Sequence, residues 1–527
     1  MNKLLFILIT LLSINNCFSQ DDPDLIRMYE VYSYIDRIYV DKVPKKEISE
    51  AAIVAMLKEL DPHSAYIPKE EVEDANERIN GSFVGVGIRF NILRDTILVV
   101  NPIPGGPADK LGILAGDKII KVEGDDVSGI GIKNAEVREK LLGDKGTNVK
   151  VHILRGKEII EFTITRDNIP INSVVSYYMV DKTIGYIKLT SFSRTTDKEV
   201  DDAIKSLKKQ GMKDLIFDLQ GNGGGLLYAA KAVADEFLDD NKLIVYSEGR
   251  AQPRSDLIAD KKGDFEKGRL VILIDESSAS ASEILSGAIQ DWDRGLIVGR
   301  RSFGKGLVQR PLALSDGSQL RLTIARYYTP SGRFIQKPYD DMDAYKHDYI
   351  NRYEHGEMMH QDSIKFPDSL IYKTLITHRD VYGGGGVMPD LFIPMDTSEY
   401  STYYKDLSRS GTFNSFSLEY ANNHRADILN KYKTLDEFIS NFKTDEAFMK
   451  EFFEYAAQKD EKIVFSESDY EISKDVMQIR LKASIAQNLW DYEAFYQIFN
   501  VKNEIFMGAY NALKNGTYDK MNIVKQK

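Results

Sequence analysis

Cysteine is almost absent from this chain, since Cys17 is the single one among 527 residues. It lies in an N-terminal stretch where Lys3 precedes an apolar run (residues 4–12), a pattern typical of a secretory signal peptide cleaved after Ser19. The run is too short to span a bilayer, so an uncleaved anchor is the weaker interpretation. Removing residues 1–19 would leave a chain without cysteine, which excludes disulfides, thiolate catalysis and thiolate metal sites.

Basic residues are outnumbered. The chain carries 69 Lys and Arg against 80 Asp and Glu, a net charge of −11, and it has no basic cluster. Nucleic acid is therefore a poor partner for it. An acidic, exported chain points to the cell envelope, and the periplasm is the expected compartment.

Histidine is scarce, and none of the seven histidines lies at the apolar or glycine-rich end of a core strand. They show neither H-E-x-x-H nor Cys/His spacing, so we expect no metal site. Each is interpreted as an ordinary surface or packing residue. The seven are His63, His152, His347, His355, His360, His378 and His424.

The length of the chain and the changes in its sequence pattern divide it into segments. The length favours about three domains. After the signal peptide, residues 20–80 have helical apolar spacing, and residues 81–168 show short strands, tight turns and one helix. Residues 169–395 alternate strands with helices, as in an α/β core. Residues 396–527 form a helical tail with two core-packing stripes, and we expect residues 340–362 to be a surface insertion or flexible loop.

The stretch SSASASE (277–283) follows LVILI (270–274), a buried-strand pattern, and precedes a helical pattern. Its plain interpretation is a helix start, with Ser280 and Glu283 as a capping box. The sharper interpretation is a nucleophile at a helix N-terminus, where the amides and the dipole favour an oxyanion. Taken alone, the stretch favours the cap.

A serine nucleophile needs a base, and GLIVGRRSFGKGLVQRP (295–311) places Lys305 between two glycines. The segment falls short of a nucleotide-binding loop, because Gly306 stands where Ser or Thr would hold magnesium and because the following LVQRPLAL is extended. A lysine packed closely by backbone loses water, which favours its neutral form. Its pKa must fall from about 10.4 to near neutrality for it to act as a base.

A third segment, DLQGNGGGLL (218–227), ends a strand in glycines and starts a helix. Amides in such a turn could point into a cleft at the strand ends. One glycine-rich turn is weak evidence. Three loops that each fit one α/β cleft are better evidence for a catalytic site.

Together these segments resemble the carboxy-terminal processing peptidases, exported serine/lysine endopeptidases with an inserted PDZ domain. The resemblance covers residues 24 to about 395 and rests on LDPHSAYIP, GVGIRF, PIPGGPADKLGILAGDKIIKVEG, DLQGNGGGLL, SSASASEI, SFGKGLVQ, YYTPSGRFIQ and GVMPD. It implies a multidomain α/β protein. The parts would be a crotonase-like α/β serine peptidase core, an inserted β-rich PDZ domain, N-terminal helices and a helical C-terminal tail.

The resemblance also implies a catalytic dyad. Ser280 would be the nucleophile, Lys305 the general base, and Gln309 the group that positions the lysine. Ser278 and Ser282 are the alternative nucleophiles. The motif alignment and the capping position favour Ser280.

Two further sets of groups follow from the resemblance. Oxyanion donors would come from the amide of Ala281 and from one glycine of 223–225, with Gly224 preferred. The PDZ domain would bind a substrate's terminal carboxylate through the amides of the GVGI stretch, which comprises Gly85, Val86, Gly87 and Ile88.

Two positions depart from the family pattern, but neither touches the proposed dyad: Gln220 stands where arginine is frequent, and His63 where an aromatic residue is frequent.

The expected partners are unfolded or C-terminally exposed protein substrates, and a homo-oligomer or an adaptor protein is compatible with the sequence. No nucleotide or other cofactor is expected. The competing function classes are a catalytically idle PDZ scaffold that only binds peptides and a nucleotide-driven envelope factor.

Overall fold

The computed structural model describes residues 22–521 and residue 523. The expected signal peptide, with Cys17, lies outside the described residues. The described chain forms two compact units: one comprises residues up to Lys69 together with Pro311–Leu322, and the other comprises Glu70–Arg310 and the chain from Thr323 onward. None of the helices within the described range is both long enough and apolar enough to cross a membrane.

The smaller unit contains the two helices that the apolar spacing predicts, α1 (Pro23–Ile38) and α2 (Lys45–Lys58). Strand β1 (Ala65–Ile67) pairs antiparallel with residues 319–321. This pairing joins residues 311–322 to the N-terminal helices, although sequence periodicity gives no sign of it.

The larger unit begins with a β-rich module whose strands form an antiparallel sheet in the order β3-β4-β5-β7-β8, with β6 beside β5. A separate pair, β2 and β9, lies where the chain enters and leaves the module. The strands are β2 (Ser82–Gly85), β3 (Ile88–Ile92), β4 (Ile97–Pro102), β5 (Lys118–Val122), β6 (Asp125–Asp126), β7 (Asn148–Arg155), β8 (Glu158–Thr165) and β9 (Asp167–Pro170). The helices are α3 (Val72–Asn80), α4 (Pro107–Lys110) and α5 (Asn134–Leu141).

The α/β core is built on a six-stranded sheet in the order β10-β11-β12-β15-β16-β21, parallel except for β10. Its strands are β10 (Val174–Met179), β11 (Ile184–Leu189), β12 (Asp214–Asp218), β15 (Leu270–Ile274), β16 (Leu296–Gly299) and β21 (Leu391–Phe392). Helices α6 (Thr196–Lys209), α7 (Leu227–Asp235) and α8 (Ala281–Asp291) connect and cover it. All five residues of β15 are buried, as the unbroken apolar run LVILI predicts for a central parallel strand.

Outside this sheet, β13 pairs with β14 and with the last residues of β18. The remaining strands are β13 (Leu243–Gly249), β14 (Gln252–Ile258), β17 (Leu307–Ala313), β18 (Gln319–Tyr328), β19 (Ile371–Lys373) and β20 (Asp380–Tyr382). The stretch 340–362, expected as an insertion or loop, contains two short helices, α9 (Met342–Lys346) and α10 (Asp348–Glu354).

The tail is helical, as predicted. Its helices are α11 (Thr402–Arg409), α12 (Thr412–Lys431), α13 (Leu435–Asn441), α14 (Glu446–Lys459), α15 (Glu467–Leu489), α16 (Tyr492–Phe499), α17 (Glu504–Lys514) and α18 (Thr517–Lys520). The two predicted stripes meet in one aromatic-rich core, with Phe452 and Leu481 both fully buried. Further along, α17 packs on the face of the α/β sheet.

Arg294, just beyond the end of α8, ties this helix to the core. The residue is 2 % exposed, and its guanidinium donates hydrogen bonds to the carbonyls of Phe237, Phe265 and Gly268 at 2.8, 2.6 and 3.0 Å. Because the other end of α8 carries Ser280, this anchor contributes to the placement of the candidate nucleophile.

We expect Arg294→Met to destabilise the α/β core, since the two buried carbonyls of Phe237 and Phe265 would lose their donor at about 1–3 kcal/mol each. The free energy of unfolding should fall by at least about 2 kcal/mol. Differential scanning calorimetry measures the change, with Arg326→Met, at an exposed arginine, as the matched control. Equal melting temperatures for the two variants would contradict this assignment.

Candidate active site

Three loops meet at one edge of the α/β sheet because they follow three adjacent parallel strands. Residues 215–218 of β12 pair with residues 270–273 of β15, and residues 271–274 of β15 pair with residues 296–299 of β16. The carboxyl ends of the three strands therefore lie side by side, where ligands of such sheets bind. The loops are the glycine-rich turn, the SSASASE turn and the lysine loop.

Ser280 lies in a strained position at the start of α8. Its backbone angles are φ 56° and ψ −113°, in a region that residues with a Cβ rarely adopt. Such strain persists only where the surrounding structure enforces it, and it is frequent at functional sites. Ser280 is half-buried and directly precedes the first residue of α8.

The two alternative nucleophiles have structural partners. The Ser278 hydroxyl donates to the Leu219 carbonyl at 2.8 Å, and the Ser282 hydroxyl donates to the Asn222 carbonyl at 2.8 Å. Both serines are fully buried. Their hydroxyls fasten the serine turn to the glycine-rich turn, so Ser280 remains the best-placed candidate.

Asn222 organises the glycine-rich turn from within. The residue is fully buried, its side-chain amide donates to the Leu189 carbonyl at 3.1 Å, and its carbonyl accepts the Ala279 amide at 3.0 Å. Its Oδ1 accepts the amide of Gly224 at 2.9 Å. The preferred oxyanion donor therefore has a partner inside the protein already.

Gly224 nevertheless contacts the candidate nucleophile directly. It has φ 99°, and a Cβ at this position would lie 2.8 Å from the Cβ of Ser280 and 2.9 Å from the nitrogen of Ala281. Only glycine allows the two turns to approach this closely. The neighbouring Gly223 and Gly225 are exposed beside it.

The lysine loop follows β16 and leads into β17. Lys305 is half-buried between Gly304 and Gly306, and its Nζ lies 2.9 Å from Oε1 of Gln309. The structure thus places the expected positioning residue in contact with the expected base. The extended conformation of residues 307–313 agrees with the sequence-based argument against a nucleotide loop.

Glu283 joins the serine turn to the lysine loop. Its carboxylate is fully buried and accepts four hydrogen bonds: from the amide of Ser280 at 2.7 Å, the amide of Gly304 at 2.7 Å, the amide of Lys305 at 2.9 Å and the hydroxyl of Ser302 at 2.6 Å. Burial raises the pKa of Glu283, while these hydrogen bonds act in the opposite direction. The sequence motif identified this residue only as half of a capping box.

Tyr327 makes a second connection between the two loops. Its hydroxyl donates to the carbonyl of Ser280 at 3.2 Å and also contacts the carbonyl of Lys305. The residue is 1 % exposed, and burial raises its pKa well above the ordinary value for tyrosine. It therefore serves as a neutral donor.

The insertion at 340–362 supports the lysine loop from outside. Arg352 is buried and donates to the carbonyls of Arg301 and Ser302 at 2.6 and 3.2 Å. Glu357 accepts from both Arg352 and Arg301 at 2.7 Å. Residues 340–362 therefore help to hold the lysine loop in place. The polar composition of this stretch gave no sign of that role in the sequence.

The GVGI stretch joins β2 to β3 of the β-rich module, since Gly85 is the last residue of β2 and Ile88 the first residue of β3. The carbonyls of Val86 and Gly87 accept the amides of Ala108 and Ile103 at 3.0 and 2.9 Å, which fixes the loop. Strand β3 is the terminal strand of its sheet among the described residues. An edge of this kind can accept an extended peptide as an additional strand.

Three segments of the chain match known protein families. Residues 183–343 match peptidase family S41, and residues 84–165 match the PDZ domain family. Residues 403–491 match a family of unknown function (DUF8443).

The chain also has similar relatives. It is 37 % identical over 321 residues to the carboxy-terminal processing protease CtpA of Bacillus subtilis (strain 168), a match that covers 60 % of this chain and 68 % of the relative. It is 34 % identical over 344 residues to a probable CtpA-like serine protease of Staphylococcus aureus (strain bovine RF122 / ET3-1), covering 64 % and 68 %. A solved structure, the photosystem II D1 C-terminal processing protease, is 31 % identical and covers 60 % of this chain and 91 % of that one, with a TM-score of 0.34.

The two relatives named above are a protease and a probable protease, which disfavours the idle scaffold as an alternative. The S41 match falls on the α/β core and the PDZ match on the β-rich module. With this identity over two thirds of a relative's length, the chain belongs to the carboxy-terminal processing protease family and is a serine-type peptidase.

Proposed function

We propose that this protein is an endopeptidase of the cell envelope that cuts proteins at or near their C-termini, with Ser280 as nucleophile and Lys305 as general base. The observation that carries the proposal is the pair of connections between the serine turn and the lysine loop, through the carboxylate of Glu283 and the hydroxyl of Tyr327. Each of these two side chains contacts the backbone of Ser280 and the backbone of Lys305.

In this mechanism the neutral amine of Lys305 accepts the proton of the Ser280 hydroxyl as Oγ attacks the scissile carbonyl. The resulting ammonium then gives the proton to the leaving amine, and an acyl-enzyme forms on Ser280. Water, deprotonated by the same lysine, hydrolyses the ester. Gln309, 2.9 Å from Nζ, keeps the amine directed through these steps.

The tetrahedral intermediate needs donors for its oxyanion. We assign one to the amide of Ala281, at the N-terminus of α8, where the helix dipole adds to its effect. The second donor comes from the glycines of 223–225. Because the Gly224 amide donates to Asn222, the exposed Gly223 is the better candidate in this structure.

Substrate selection is assigned to the PDZ domain. Gly85, Val86, Gly87 and Ile88 would bind the terminal carboxylate of an unfolded or C-terminally exposed protein, while the peptide adds to the edge of β3. The proposed domain borders are residues 20–80, 81–168, 169–395 and 396–527. The signal pattern at 1–19 supports export to the envelope.

Replacing Lys305 by alanine should abolish cleavage without unfolding the protein, because the serine would remain protonated. The loss in kcat/KM should be at least about 10²–10⁴-fold. Lys305→Arg should be almost as inactive, since arginine does not release its proton at physiological pH. Peptidase assays on purified variants measure the effect, with Lys213→Ala, at an exposed lysine of the core, as the control. Near-normal turnover by either Lys305 variant would remove this residue from the mechanism.

Amidation of a substrate's C-terminus should weaken its capture by the PDZ domain. Charge-assisted hydrogen bonds to the carboxylate are worth about 1.5–3 kcal/mol each, so loss of the charge should lower kcat/KM by roughly 10–100-fold. The comparison uses one unfolded substrate in its free and amidated forms at sub-saturating concentration. Equal rates for both forms would show that the PDZ domain does not read the carboxylate.

A further inference from the structure

The helical region that matches a family of unknown function contacts the PDZ domain through strands β3 and β4. The guanidinium of Arg89, on β3, donates to the carbonyl of Gln487 at 2.9 Å. The side-chain amide of Asn101, on β4, donates to the carbonyl of Trp490 at 3.3 Å. Both acceptors lie at the C-terminal end of α15.

These contacts satisfy a specific need of α15. The last carbonyls of a helix have no intrahelical partner, and they form the negative end of its dipole. Arg425 of α12 donates to the carbonyl of Asn488 at 2.7 Å and also reaches the carbonyl of Val100, on β4, at 3.3 Å. Two arginines, one from each side of the boundary, therefore cap this helix end and join it to the PDZ sheet.

Apolar and charged contacts extend the same surface along α12. Leu418 packs against Leu98 and Val100 in a small buried cluster. Beside it, Glu419 forms an ion pair with Arg94 of the PDZ domain. The surface thus combines a buried apolar centre with polar contacts around it, the arrangement found in stable interfaces.

Helix α16, which follows the matched region 403–491, connects that region to the protease core. Directly after α15, helix α16 places Tyr492 with its ring centroid 5.6 Å from the guanidinium carbon of Arg89. One turn on, the ring of Tyr496 lies 5.9 Å from Nζ of Lys188, which pairs with Asp218 at 2.9 Å just before the glycine-rich turn. Together with α16, the helical region therefore spans from the PDZ strand β3 to the edge of the candidate active site.

We propose that residues 403–491 are a docking platform that holds the PDZ domain by β3 and β4, and so fixes the position from which a captured C-terminus enters the cleft at Ser280. This role rests on the proposed function of the PDZ domain in capture. Strand β3 follows the peptide-binding loop directly, so a platform bound to Arg89 sets the direction of the peptide that adds to that strand. The chemistry recognised is a helix C-terminus presented to arginine and asparagine side chains.

Two readouts on the full-length protein test the platform. The double variant Arg89→Gln/Asn101→Ala removes the two PDZ side chains that donate to the end of α15 and leaves the helical region unchanged. The matched control, Lys121→Gln/Lys157→Gln, removes two cations of the same PDZ domain, one on β5 and one in the turn between β7 and β8. Hydrogen exchange followed by mass spectrometry measures docking at residues 97–102 and 485–490. Mapping of product termini from an unfolded substrate with a free apolar C-terminus measures delivery.

We expect exchange in both segments to accelerate about 10-fold or more in the double variant, as for loss of a charge-assisted hydrogen bond, and to match the wild type in the control. Cleavage positions should spread over a wider range in the double variant only. Exchange rates equal to those of the control would overturn the docking platform, and unchanged cleavage positions despite faster exchange would overturn its role in delivery. If the wild type cleaves amidated and free substrates equally, the proposed capture of the carboxylate by the PDZ domain is contradicted. The hydrogen-exchange result still tests the docking of the PDZ domain on the helical region.

Discussion

The buried carboxylate of Glu283 is the constraint on which the candidate catalytic geometry depends. An ionised carboxylate without partners is strongly unfavourable in a protein interior. Glu283 is tolerated because backbone amides and one hydroxyl, from both the serine turn and the lysine loop, donate to it. Moving either loop away would leave the carboxylate with unmet hydrogen-bonding capacity at full burial. The two loops are therefore held together by the cost of separating them.

Other features of the site follow from that connection. The strained backbone of Ser280 persists because its amide is held by Glu283 and its carbonyl by Tyr327. Gly224 can then approach the nucleophile to a distance that no other residue allows. Further out, Arg352 supports the lysine loop. The helical tail connects the strand before the glycine-rich turn to the PDZ domain. The placement of Ser280 and the position of the PDZ domain therefore depend on the same set of contacts.

The sequence predicted the parts whose evidence is local. LVILI predicted a buried central strand, the stripes through Phe452 and Leu481 predicted the core of the tail, and three loop motifs predicted a shared cleft. The contribution of Tyr327 was not predictable, because a tyrosine in a β-strand pattern carries no sign of the loops that it contacts. The docking of the tail on the PDZ domain was hidden for the same reason: Arg89 and Asn101 meet carbonyl groups, which have no side-chain signature in the sequence.

The most direct test of the account is to map the site of covalent labelling by a fluorophosphonate, which reacts with activated serines, and to follow its rate against pH. We predict a single adduct, on Ser280, with a labelling rate that rises as the base loses its proton and that collapses in Lys305→Ala. An adduct on Ser278 or Ser282, or a labelling rate and pH dependence that persist in Lys305→Ala, would contradict the assignment of a serine/lysine dyad to this cleft.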